Sequence, residues 1–362
     1  MIPSMSEARR IEGISAVVCN FQGEAYLEEC LRSVLSQEGI DEVLLVDDAS
    51  TDGSVALVRE RFPSVRVIRL AENRGPCAAR NAGMRAARRR FVLAVDNDAV
   101  LEPDVVRKLR AALEARPDCV VAQVRSVLYD DPQRVHYDGA SFHYVGLFAL
   151  RNFYRPLAEA RGEGVVEVDG LIAICALLDR DEVLSAGGYD EEFFYLAEDF
   201  ELSLRLRILG FRLIAVEDAR VRHRGGTAGL SFRGGGYPER RIFLHSKNRW
   251  RILAKLYSFR TLLAIAPGLL VYECAWLAFV LRQGFLRAHL AGKRAFFGEL
   301  PRILAHRGGI ARTRKVHDRD LLVGGPLTLS PALVDSGTSR TLARALDVVL
   351  RAWWWIARPL AG

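Results

Sequence analysis

Phe91–Val100 reads FVLAVDNDAV. Its first five residues form an apolar run suited to a buried strand, and the run then stops on Asp96-Asn97-Asp98. Two carboxylates one residue apart repel each other and resist desolvation. A strand that delivers both to one place therefore calls for a cation, or for an anionic ligand that brings its cation. A capped turn ahead of Leu101-Glu102-Pro103-Asp104 is the plain alternative, because Asp and Asn are favoured in turns.

Working outward, the segments before this stretch alternate strand and helix. ISAVV (Ile14–Val18) is a β-branched run followed by the loop CNFQGE. In AYLEECLRSVLSQ, residues Leu27, Cys30, Leu31, Val34 and Leu35 recur with the spacing of a helix packed on a sheet. EVLLVDD is a second buried strand ending in Asp47 and Asp48; ASTDGS supplies turn and capping residues, and SVALVRERF continues as a helix. VRVIRL gives a third strand, AENRGP its loop, and AARNAGMRAARRR a further helix whose basic end at Arg88–Arg90 suits the helix dipole. The order β-α-β-α-β-α-β implies an α/β fold with a mostly parallel sheet flanked by helices. Ligands of such sheets bind beyond the carboxyl ends of the strands, where Asn20, Asp48, Asn73 and Asp96–Asp98 all fall.

Composition bounds the rest. Half of the 362 residues are hydrophobic, enough for a sizeable core, and the net charge of +7 suits a phosphate-bearing ligand or an anionic surface without choosing between them. No GxGxxG follows the first strand and no GxxxxGK[ST] occurs, so neither a dinucleotide fold nor a P-loop is supported. The six cysteines form no CxxC or zinc-like cluster and are expected as buried free thiols in a reducing compartment. MIPSMSEARR lacks an apolar core of signal-peptide length, which leads to the expectation that the catalytic part stays in the cytoplasm.

The pieces VVCNFQGEAYLEECLRSVLSQ, VLLVDDASTDGS, NRGPCAARNAG, VDNDAVLEPD, YLAEDFELSLRLRILGF and VRHRGG, in this order and spacing, resemble family 2 glycosyltransferases of the GT-A fold, in particular their rhamnosyltransferase-like branch. The resemblance spans roughly Ile14–His223. It implies an inverting transfer from a nucleotide-diphosphate sugar, with Mg2+ or Mn2+ clamping the leaving diphosphate. It also implies that Asp98 is a metal ligand, with His223 as a further one, and that Asp96 lies nearer the ribose or sugar. Cys19, Asn20 and Phe21 would grip the base and ribose. Asp48 would accept from a pyrimidine ring N–H, favouring UDP- or dTDP-linked donors with dTDP-rhamnose first, while one of Asp47 and Asp48 caps the next helix. Asn73, Gly75 and Arg80 would border the donor, Arg80 pairing with phosphate or Asp96.

Inversion needs a carboxylate to deprotonate the acceptor hydroxyl, and the resemblance assigns that to Asp199, with Glu198 orienting the acceptor or loop. FELSLRLRIL alternates with period two, a strand pattern; Gly210, Arg205 and Arg207 near its end, and the family's helix here, favour a helix. VDGLIAICALLDRDEVLSAGGYDE should bring a strand to the site at Asp169 and Gly170, then a short helix. GASFHYVGLFALRNFYRP suits either an acceptor-facing flap or core aromatics.

The expected organisation is a tail at 1–13, a catalytic domain at 14–236 and a helical, membrane-associating region at 237–362. Thr261–Leu281 is apolar and roughly long enough to span a bilayer, with Glu273 its single charge. Pro267-Gly268 and Glu273 favour a monotopic or re-entrant hairpin over a span, with a buried core helix as the alternative. Trp353–Trp355 between Arg351 and Arg358 suits a lipid interface ahead of an oligomer interface, which would use the same residues; HRGGIARTRKVHDRD suits a basic loop near headgroups. Peripheral or monotopic attachment to the cytoplasmic side of the membrane fits a glycan or lipid-linked acceptor in polysaccharide synthesis. Nucleic acid is not an expected partner. Two other classes compete. A nucleotidyltransferase acting on sugar phosphates would want a glycine-rich, basic first loop, which CNFQGEAY lacks. An inactive membrane scaffold would be expected to lose Asp98 or Asp199, and both are present.

Overall fold

A computed structural model describes residues 12–160, 162, 164–225, 236–334 and 336–362, so the expected tail at 1–13 and Gly226 of VRHRGG fall largely outside it. The chain opens with β1 Ile14–Asn20, α1 Glu24–Leu35, β2 Glu42–Asp47, α2 Ser54–Arg61, β3 Arg66–Arg69, α3 Gly75–Ala86 and β4 Phe91–Asp96, the order expected. These four strands lie β3-β2-β1-β4, all parallel. β1 and β4 are buried on both faces. Val17, Val92 and Ala94 point into one core, and Ala16, Val18, Leu93 and Val95 into the other. Leu27, Cys30, Leu31 and Val34 of α1 join the second core, whereas Leu35, expected with them, is exposed at the helix end.

β5 Ala99–Leu101, α4 Val105–Glu114, β6 Cys119–Leu128, β7 Val135–Tyr137, β8 Ala140–His143, β9 Leu147–Leu150, β10 Val165–Val168, β11 Cys175–Asp179, α5 Arg180–Ser185, α6 Glu198–Ile208 and β12 Arg212–His223 follow. They extend the sheet as β10-β12-β6-β11-β4, and β11 runs antiparallel to both neighbours. In VDGLIAICALLD the strand is β11 from Cys175; Asp169 and Gly170, expected at its site end, instead follow β10, with Asp169 beside Arg207 in the last turn of α6, and it is Ala173 and Ile174 that reach the site edge. α6 is a helix despite its period-two sequence. Nearly every residue from Glu198 to Ile208 is buried, so no solvent face imprints an amphipathic period. Arg88–Arg90 lie beyond the end of α3, not in its last turn; the Arg88 N–H donates to Glu42 Oε1 at 2.6 Å and Arg90 Nε to Asp179 Oδ2 at 3.3 Å.

The remaining elements are α7 Glu239–Leu256, α8 Phe259–Gln283, α9 Leu286–Thr313, α10 Asp318–Leu321, β13 Leu322–Val323 and α11 Gly337–Ala357. The stretch HRGGIARTRKVHDRD is not the expected loop: residues 306–313 complete α9, and α10 begins at Asp318. α8 runs unbroken through Pro267 from its N-cap at Ser258 to Gly284. Its Glu273 turns inward, where Trp250 Nε1 and Lys293 Nζ each donate to it at 2.9 Å and Arg249 pairs with it. Among the described residues α8 is the helix long and apolar enough to cross a membrane, with 33% of its most apolar window buried. The three tryptophans divide: Trp354 stacks on Tyr144 in the core, Trp353 Nε1 donates to the Ala264 carbonyl, and Trp355 is 82% exposed. Phe142 and Tyr144 are core residues, not a flap, and β13 pairs with β8 to join the C-terminal region to the rest.

Candidate active site

Pairing register brings the polar strand ends together: Asn20 lies opposite Asp47, and Cys19 opposite Asp96. The buried Asn20 donates to Asp47 Oδ1 (2.9 Å) and Ser50 Oγ (3.2 Å) and accepts from Asn97 Nδ2 (2.7 Å). It ties three loops into one rim. Cys19 is half-buried, its thiol pushed up to about 12 by burial, so it is a neutral lining group. Phe21 projects from the rim, 45% exposed.

Of the acidic pair after β2, Asp47 accepts the Ser50 N–H at 3.0 Å and holds its own turn. Asp48 is buried; its two oxygens accept from the N–H groups of Arg74 (2.8 Å) and Gly75 (2.7 Å) at the start of α3. Burial raises its carboxyl above the ordinary range. Gly75 has φ +83°, and a Cβ there would stand 2.6 Å from the Phe194 carbonyl oxygen; the close approach it permits is to the protein's own backbone. Asn73 is exposed beside it, its Oδ1 accepting from the Gly75 N–H at 3.2 Å.

Asp96 ends β4, Asp98 follows in the turn, and His223 ends β12, which pairs antiparallel with β5 so that His223 lies opposite Ala99. One ligand atom from each of the three lies within 4.8 Å of the others. His223 Nε2 is 3.3 Å from Asp98 Oδ1. Burial alone would raise Asp98, yet His223 and nearby N–H groups hold its carboxyl below the usual range; Asp96 is raised, burial outweighing Arg80. Two hard oxygens and an imidazole nitrogen suit a cation such as Mn2+ or Mg2+ that fills its other positions with water or diphosphate. Behind the site, His136 Nδ1 lies 3.0 Å from His223 Nδ1. A metal-ligating Nε2 requires the His223 proton on Nδ1, and His136 is then its acceptor.

Glu198 and Asp199 open α6. The Asp199 Oδ2 accepts the Ala173 N–H at 3.0 Å, and its Oδ1 has no hydrogen-bond partner though buried. Arg80 lies between this pair and the metal group. It donates to Asp96 Oδ1 at 2.8 Å, and its other terminal nitrogen stands 3.7 Å from both Glu198 and Asp199. Its guanidinium also covers the Tyr189 ring at 5.3 Å. All twelve expected site residues thus lie along one edge of the sheet, with the carboxylate pair and the metal group bridged by one arginine. His136 and Tyr189 escaped the sequence reading, because each meets its site partner only through the fold, His136 at His223 and Tyr189 under Arg80.

Burial, then the charge of Asp199, pushes Glu198 up to about 7, and burial also raises Asp199. The pair therefore keeps a proton near neutrality. A folded-state value above the unfolded one contributes stability that is present below the ordinary carboxyl value of 4.5 and lost as pH rises through about 7. Denaturant midpoints at about pH 5.5 and about pH 8 should fall with pH in the native chain, with a smaller fall in Glu198→Gln. An unchanged pH slope in that variant would remove Glu198 as its source.

Residues 15–186 match the model of the family described as Glycosyl transferase family 2. The chain is 38% identical over 134 residues to the succinoglycan biosynthesis protein ExoO of Rhizobium meliloti, a match covering 36% of this chain and 36% of that protein. It is 25% identical over 216 residues to the amylovoran biosynthesis glycosyltransferase AmsE of Erwinia amylovora, covering 58% and 74% of the two. It is 28% identical over 269 residues to the N-acetylglucosaminyl-diphospho-decaprenol L-rhamnosyltransferase of Mycobacterium tuberculosis, covering 68% and 85%. The match thus spans little more than a third of the first of these relatives. Among solved structures, GalNAc-T7 with UDP, GalNAc and Mn2+ superposes with a TM-score of 0.57 at 16% identity over 72% of this chain and 51% of that one. That likeness is one of fold, the GT-A arrangement.

Proposed function

We propose that the chain is a glycosyltransferase of family 2, whose model matches residues 15–186, and that it performs an inverting, metal-dependent transfer. The donor is a nucleotide-diphosphate sugar, dTDP-rhamnose or a UDP-sugar; the acceptor is a glycan or lipid-linked glycan in polysaccharide synthesis. The observation that carries this reading is the convergence of Asp96, Asp98 and His223 with Glu198-Asp199 around the single buried side chain of Arg80.

Asp98 and His223, with Asp96 beside them, would hold Mg2+ or Mn2+. Such a cation supplies positive charge that stabilises the departing diphosphate. Asn20, Cys19 and Phe21 line the nucleoside side, and Asp48 keeps lone pairs for a pyrimidine N–H while anchoring the loop at Arg74-Gly75. Arg80 balances Asp96 against the carboxylate pair. Asp199, its Oδ1 buried 3.7 Å from Arg80, takes the proton from the acceptor hydroxyl as that oxygen attacks the anomeric carbon. Glu198, holding a proton near neutrality, keeps its charge from competing with that base.

Within this reading residues 14–236 form the catalytic domain and 237–362 a membrane-associating region on the cytoplasmic face. Leu263, Leu270, Leu277 and Leu281 of α8, Leu290, Phe297 and Leu304 of α9, and Val348 and Trp355 of α11 form its lipid-facing apolar surface. Cosedimentation of the full chain with anionic vesicles tests the attachment; a chain that stays in the supernatant refutes it.

The transfer reading is tested by calorimetric titration of the full chain with UDP and dTDP, with and without Mn2+. Metal-dependent binding of one nucleotide supports it and narrows the donor. A folded chain that binds neither overturns it.

A further inference from the structure

We propose that Asn248, on α7 outside the family-matched residues, is a positioning residue that sets the loop carrying Glu198 and Asp199, which makes the C-terminal helices part of the transfer machinery. The proposal rests on the reading of Asp199 as the base.

The loop entering α6 is under backbone strain. Phe194, Leu196 and Ala197 have φ of +60°, +72° and +77°, and none is a glycine. Side-chain-bearing residues avoid this region unless the surroundings enforce it. Asn248 does so from within the core. Fully buried, its Nδ2 lies 3.0 Å from the Phe193 carbonyl, 2.9 Å from that of Tyr195 and 2.8 Å from that of Leu196. Three carbonyl acceptors around one terminal atom identify that atom as the amide nitrogen, and two hydrogens shared among three oxygens fix the loop's path. The residues pinned are those immediately before Ala197, the left-handed N-cap of α6, and Glu198 follows it directly.

The rest of α7 reinforces this grip. Lys247 Nζ donates to the Glu192 carbonyl at 3.2 Å, and the Arg240 guanidinium covers the Phe194 ring at 4.8 Å. Lys255 bonds Asp190 and Glu201 at 2.7 Å each, joining the start of the loop to the body of α6. On the opposite side the loop meets α3, where Cys77 Sγ lies 3.6 Å from the Phe194 carbonyl. The loop is thus held between α3 of the sheet domain and α7. A carboxylate that must meet an acceptor hydroxyl in line with the anomeric carbon tolerates little displacement; about 1 Å can cost roughly a hundredfold in rate.

The test measures Mn2+-dependent hydrolysis of UDP-glucose or dTDP-rhamnose by the full chain, water taking the acceptor's place, beside calorimetric affinity for the matching nucleoside diphosphate. Asn248→Ala is expected to lower kcat about 10- to 100-fold. KM for the donor and affinity for the nucleoside diphosphate should stay within about threefold, because the hydrogen bonds that hold the donor loops, Asn20 to Asp47 and Ser50 and the Arg74 and Gly75 N–H groups to Asp48, involve no residue of α7. Adding Ala197→Gly, which removes the steric demand at the N-cap, should restore at least about fivefold of the lost kcat. A folded Asn248→Ala chain with native kcat, or one that loses kcat and nucleotide affinity together, overturns the proposal. Should the alanine variant not fold, Asn248→Ser, which keeps one donor, replaces it, and native kcat in that variant is equally fatal. Asp199→Asn run in parallel separates the two readings. If it retains turnover, the base assignment itself fails; if it is inactive while folded Asn248→Ala is native, only the positioning role fails.

Discussion

Asp199→Asn should lower turnover about 10²- to 10⁴-fold, the usual contribution of a positioned general base. The amide has the shape of the carboxylate and can still accept the Ala173 N–H through its oxygen, a bond of 3.0 Å in the native chain. What it lacks is basicity. Burial raises the native carboxyl, which means that the folded chain carries this charge at a cost. The asparagine variant should therefore be as stable as the native chain or more so, and should bind nucleotide and Mn2+ unchanged. Loss of rate with a preserved or raised thermal midpoint is the signature of a residue kept for chemistry. A variant that turns over at the native rate would return Glu198-Asp199 to the role of acidic residues favoured in the first turn of a helix.

Asp98→Ala should abolish Mn2+-dependent nucleotide binding in the calorimeter and lower turnover at least about a hundredfold, as expected when stabilisation of the leaving charge is lost. The turn itself has independent support. The Asp96 N–H donates to the Ile174 carbonyl at 2.9 Å and the Arg224 N–H to the Asp98 carbonyl at 3.1 Å, both backbone contacts that alanine keeps. The side chain also accepts from the Gly225 N–H, so a stability loss of about 1 kcal/mol is expected. The two explanations of Asp96-Asn97-Asp98 then separate cleanly. A metal ligand loses metal binding with little stability, and a mere turn cap loses stability with metal binding intact.

How much of this was legible in the sequence depended on how local each signal is. β1, β2, β4 and the α1 stripe could be read because their periodicity is set by neighbours in the chain, and the acidic residues at strand ends mark the sheet edge that holds the site. α6 could not be read from its period, since a helix buried all round has no polar face to record. Arg88–Arg90 misled for a related reason: the Ala87 backbone turns extended after α3, a choice dictated by Glu42 and Asp179 on other elements. His136 meets His223 across 87 residues, and Asn248 meets the loop before Glu198 across more than 50. Such partners carry no motif of their own. Glu273 was weighed as an obstacle to a membrane span, but its partners Arg249, Trp250 and Lys293 lie on two other helices and only the assembled bundle reveals them.

β12 accompanies β6 in parallel up to Val216, then spends three extra residues before Arg220 resumes the pairing opposite Arg125. Only after that excursion does the strand reach Ala99 with His223 directed at Asp98. Because side chains alternate across a strand, a slip of one position would face the imidazole the other way. The spacing of residues 217–219 is thus as much a part of the metal group as its three side chains. A descendant of this chain that deleted one of them could spell every recognisable motif unchanged and yet no longer bring His223 to Asp98. Alignments that score letters but forgive gaps would then count that descendant as an enzyme.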